Sequence, residues 1–78
     1  MTEPNRQQLI SRALDAIDRE EEIAFDVAAD QGMMFDNVKH MAFFVAEVAN
    51  EMIDRMNKWA HLDYVTPREV SRFYSAKR

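Results

Sequence analysis

Gly32 is the only glycine of the chain, and Pro4 and Pro67 are its only prolines. Hairpins and tight turns draw on glycine, proline and their neighbours, so strands joined by many turns have almost nothing here to turn on. The long stretches between these three residues can be helix, and their apolar residues recur at helical spacing. The chain is therefore expected to be all-α. At 78 residues it holds one domain, residues 1–78, and not two.

Thr2-Glu3-Pro4 reads as a helix start, with Thr2 as N-cap and Pro4 where a missing N–H costs nothing. Leu9, Ile10, Ala13, Leu14, Ala16, Ile17, Ala24, Val27 and Ala28 then follow at three- and four-residue steps. Gly32 ends that stripe as a left-handed cap. The spacing predicts one long helix over about residues 3–31.

Asp36 is the expected N-cap of a second helix over about 36–62. At 100° per residue, Val38, Met41, Val45, Val48, Met52, Met56 and Trp59 form a bulky stripe. Ala42, Ala46, Ala49 and Ile53 form a smaller one beside it. Five of the six methionines (Met33, Met34, Met41, Met52 and Met56) lie around this helix, as core filler or as an adaptable groove. Two stripes ask for two neighbours. A helix of that length is about 40 Å long, whereas a compact chain of this size is about 30 Å across. The excess predicts a homodimer, two antiparallel hairpins forming a bundle with Ala42, Ala46, Ala49 and Ile53 at the interface; the alternative is a monomer in which the third helix folds back over the second stripe.

Thr66-Pro67-Arg68-Glu69 predicts a third, short helix over about 67–76. Thr66 is its N-cap, and Glu69 is placed to return its carboxylate to the Thr66 N–H. Val70 and Phe73 give it an apolar pair with which to dock.

Charge is segregated. Residues 15–30 contain seven acids against Arg19, a net −6. Of these, Glu20, Glu21, Glu22 and Asp26 are candidates for binding a basic protein partner, and Glu20 and Glu21 fall at the edges of the apolar stripe. The alternative is a solvated outer face. The C-terminal segment is basic, with Arg68, Arg72, Lys77 and Arg78 against Glu69. Arg68 and Arg72, with Phe73 and Tyr74, are the candidate nucleic-acid contacts. Four phosphate contacts predict a salt slope near −3.6, about a hundredfold loss of affinity between 50 and 200 mM salt. The remaining chain is net −7 and opposes a polyanion.

Catalytic chemistry finds little material. There is no cysteine, hence no disulfide and no thiolate ligand or nucleophile. Ser11, Ser71 and Ser75 have no histidine in helical register to activate them. No acid stands three residues before His40 or His61, as helical carboxylate metal sites require; Asp36 precedes His40 by four. Glu47 and Glu51 point outward. No cofactor and no metal is expected. No apolar run reaches the length of a membrane span, and Met1-Thr2-Glu3-Pro4-Asn5 lacks the pattern of a signal peptide. The sequence thus points to a cytoplasmic, non-enzymatic regulator, adaptor or inhibitor acting through charged helical surfaces. Nucleic-acid binding through the last helix is the second reading, and a structural subunit of a larger assembly the third.

Overall fold

Asn5 opens the first helix with a complete capping box. Its side-chain oxygen accepts from the Gln8 N–H at 2.9 Å, and the Gln8 side chain accepts from the Asn5 N–H at 2.9 Å. Two N–H groups that lack intrahelical partners are satisfied at once. The computed structural model describes residues 5–32 and 41–77, so the expected cap at Thr2 and Pro4 lies outside the described residues. The described elements are four α-helices, α1 (Arg6–Asp18), α2 (Glu22–Gln31), α3 (Met41–Arg55) and α4 (Pro67–Lys77), with one 3-10 turn at Asn57–Trp59. No strand occurs among the described residues.

The helix expected over 3–31 is two helices. After Asp18 the backbone passes through Arg19 and enters the left-handed region at Glu20, φ 54°. The Glu20 N–H then donates to the Ile17 carbonyl at 3.1 Å, and the Glu21 N–H to the Ala16 carbonyl at 2.9 Å. That pair of bonds is the Schellman C-cap, here with glutamate where glycine is usual. Glu21 is also the N-cap residue of α2, its carbonyl accepting from Ala24 and Phe25. At the far end Gly32 does cap as expected, with φ 67° and its N–H on the Ala28 carbonyl.

The helix expected over 36–62 is also shorter. Asp36 and the rest of 36–40 lie outside the described residues, and α3 stops at Arg55. Met56 is extended, and Asn57–Trp59 form the 3-10 turn that folds Trp59 back under the bundle. Fifteen residues are about 22 Å of helix. The radius of gyration is 11.8 Å and the longest extent 36 Å, so a helix of that length fits inside the fold.

α3 packs against α1, α2 and α4. Both α2 and α4 thus add to α1 as neighbours of α3. Ala46, Ala49 and Ile53 are buried in the chain's own core, and Ala42 is half-buried against it. Ala46, Ala49 and Ile53, assigned to an interface between copies, are therefore covered within one chain. Leu9 and Ile10 of α1, Val45, Val48 and Met52 of α3 and Val70 of α4 are fully or almost fully enclosed. Met41 and Met56 pack on the same core, so the described methionines of the stripe act as filler.

α4 begins as its sequence predicts, with the Glu69 N–H on Thr66 Oγ1 at 3.2 Å. The Glu69 carboxylate, expected to turn back to Thr66, is held by Arg6 of α1 instead. The strand-like link before α4 is fixed by Asn50, whose amide bonds both backbone groups of Val65, at 2.6 Å to the N–H and 3.0 Å to the carbonyl.

Candidate functional site

The four acids predicted to meet a partner divide into two kinds. Glu21 accepts two hydrogen bonds from the Arg12 guanidinium, at 2.7 and 3.1 Å. Those bonds, with the charge of Arg12 and Arg19, hold its carboxyl below the usual carboxylate range. Asp26 pairs with Arg55 at 3.0 Å, and Arg55 also binds Glu51. Glu20 and Glu22 are exposed and have no cation at ion-pair distance among the described residues. Asp15, Asp18 and Asp30 are exposed and equally unpaired by that measure. Glu20 and Glu22 thus flank Glu21 at an elbow whose backbone is fixed by the Schellman bonds and the Arg12 clasp.

The basic helix is less open than its sequence implies. Arg68 and Arg72 are exposed and stand four residues apart, on one face of α4. Phe73 packs against the core, so its ring is not a free stacking platform. Tyr74 sits at the margin of exposure, its hydroxyl pKa pushed up by burial and then by the charge of Asp18. Arg72 and Phe73 line a cleft of about 230 Å³ with Arg6, Gln7, Ile10 and Glu69. The side chains of Lys77 and Arg78 lie outside the described set.

His40 falls outside the described residues, and His61 is exposed in the loop after Trp59. Glu47 accepts from Gln31, and Glu51 is taken by Arg55. Among the described residues no three His, Asp or Glu side chains could hold one metal ion. Among them, too, no helix is long and apolar enough to cross a membrane.

One feature has no counterpart in the sequence reading. A cleft of about 340 Å³ opens between α1 and the 3-10 turn, lined by Gln8, Ser11, Arg12, Asp15, Lys58 and Trp59. Lys58 Nζ stands 4.4 Å from the centre of the Trp59 ring. The signal was present in part: residues 8, 11, 12 and 15 repeat at helical spacing and are all polar. What faces them depends on where α3 stops, which the sequence left open. No family model, curated protein or solved structure matches the chain.

Proposed function

We propose that this chain is a small non-enzymatic protein-binding regulator, adaptor or inhibitor whose acidic elbow between α1 and α2 engages a basic surface of its partner. The observation that carries the reading is Glu20. A non-glycine residue in the left-handed region costs about 1–3 kcal/mol, and Glu20 bears that cost while it and Glu22 are exposed with no cation at ion-pair distance among the described residues. Strain of this kind tends to collect at functional positions. Asp15, Asp18 and Asp30 extend the same negative charge along both helices.

The test must spare Glu21, which serves the fold through Arg12. The double reversal Glu20→Lys with Glu22→Lys leaves both helices and the clasp in place. Tagged native chain is expected to capture one defined, nuclease-resistant protein from its lysate, and the double variant to lose it at unchanged helicity by circular dichroism. Equal capture by both would reduce the elbow to a solvated surface.

A second reading, nucleic-acid binding by α4, is favoured only by the shared exposed face of Arg68 and Arg72. Replacing both with alanine should then abolish a gel shift. Self-association, with the Ala stripe covered, would fall to a different surface: Phe25 of α2 and Phe43 of α3 are 47% and 40% exposed. Light scattering at micromolar concentration distinguishes a 9.2 kDa monomer from a dimer.

A further inference from the structure

From the cleft that α1 and α4 share we infer that the chain binds a small carboxylic acid with an apolar body, its carboxylate held by Arg72 and its body resting on Ile10 and Phe73. Arg6, Gln7 and Ile10 of α1 form one wall of this cleft and Glu69, Arg72 and Phe73 of α4 the other, around about 230 Å³. Each set recurs at three- and four-residue steps, so each is one face of its helix.

The charges along these walls do not cancel. Arg6 is already engaged, binding Glu69 and the carbonyls of Asp63 and Tyr64, and Glu69 is engaged with it. Arg72 is exposed and has no carboxylate at ion-pair distance among the described residues. It stands three residues after Glu69 on the same face of α4. The Glu69 carboxyl is held low chiefly by the hydrogen bonds of Arg6 and also by the charge of Arg72, which agrees with a guanidinium turned toward the cleft. Two cations against one anion leave the cleft at +1, in a chain whose net charge is −4.

A monoanion answers that charge, and a guanidinium fork matches the two oxygens of a carboxylate. A phosphate dianion would face Glu69 with one free cation to hold it. Ile10 is buried and Phe73 packs against the core, so the apolar part of the cleft is fixed in place. A bare carboxylate such as acetate would leave it uncovered. Gln7 adds an exposed carboxamide that can donate or accept. The volume is below the about 300–1,000 Å³ of sites for drug-sized ligands, so the acid is a small one.

This site includes none of the elbow residues, so it stands or falls apart from the elbow, and it is tested on the full chain. The probes are 3-phenylpropionate, its uncharged amide and acetate. With the isoleucine methyls ¹³C-labelled, 3-phenylpropionate is expected to shift the Ile10 resonance saturably by its ring current. Ile17, Ile23 and Ile53 lie outside the cleft and serve as internal references. The amide and acetate should each bind far more weakly. Arg72→Met keeps the stem, and at unchanged helicity by circular dichroism should weaken 3-phenylpropionate about tenfold, the loss of a charged hydrogen-bonding partner. Lys58→Met removes the same charge from a different cleft and should bind as the native chain does. The inference is overturned if 3-phenylpropionate gives no saturable shift at Ile10, or if the amide binds the native chain equally, the mark of an apolar slot alone. It is overturned as well if Arg72→Met binds as tightly as the native chain, or if Lys58→Met weakens binding as much as Arg72→Met does.

Discussion

Arg6 and Glu69, 63 positions apart, lock the first turn of α1 to the first turn of α4. The guanidinium binds both carboxylate oxygens, and it also donates to the backbone carbonyls of Asp63 at 2.7 Å and Tyr64 at 2.9 Å. One side chain thus uses its fork to fix the loop, the helix start and the helix–helix contact together. α4 has eleven residues, too few to persist alone in water, so its stability is that of its docking.

Replacing Arg6 with methionine is expected to lower stability by about 1–2 kcal/mol, since charged hydrogen bonds are lost from groups about a third exposed. Chemical denaturation measures the loss. A double-mutant cycle with Glu69→Gln should return a non-additive remainder; strict additivity would mean that the two side chains act separately.

Acid should weaken the fold through the same contacts. Arg6 depresses the Glu69 carboxyl by its hydrogen bonds, and Arg12 depresses Glu21 likewise. A carboxyl whose folded pKa lies below its unfolded value stabilises the fold fully above the unfolded value, near 4.3. That contribution disappears as pH falls through the folded value. Stability measured from pH 6 down to pH 2 should fall below about pH 4.3. The fall should be shallower in Arg6→Met and in Arg12→Met, because the unpaired carboxyls then titrate as in the unfolded chain.

Glu20→Gly is expected to stabilise the chain by about 0.5–1 kcal/mol. Relief of left-handed strain outweighs the added freedom of the unfolded backbone. The mirror experiment is Gly32→Ala. Nothing lies within 4 Å of a β-carbon placed there, so only backbone strain at φ 67° acts, and a loss of about 1 kcal/mol is expected. A lower melting temperature for Glu20→Gly would contradict the assignment of Glu20 to a strained cap.

Asn50→Leu keeps bulk but strands the Val65 N–H and carbonyl at a buried residue, and should cost about 1–3 kcal/mol. Amide exchange at Val65 should accelerate in step with the loss. Unchanged protection there would show that the amide bridge is not what holds the link.

Much of the fold was legible because it depends on near neighbours in the chain. Thr66-Pro67-Arg68-Glu69 placed the start of α4, Gly32 the end of α2, and the helical spacing of Val45, Val48 and Met52 the core face of α3. Two breaks were not legible. Neither Glu20 nor Met56 is glycine or proline, and the apolar rhythm resumes beyond each of them. The one warning at the first break was Glu20 and Glu21 standing at the edges of the apolar stripe.

The sequence by itself determined that this chain is helical, where its last helix begins and how its charge is divided, because spacing and capping act within a few residues. Tertiary structure decided where the long helices break. At Glu20 the chain turns so that α2 as well as α1 packs on α3, at the cost of one strained residue, and Ala46, Ala49 and Ile53 of α3 are buried. Docking of α4 on α1 took Glu69 from the N-terminus of its own helix to Arg6, and the turn after Arg55 set Lys58 and Trp59 opposite the polar face of α1. Those pairings join residues distant in sequence, and only the packed chain selects them.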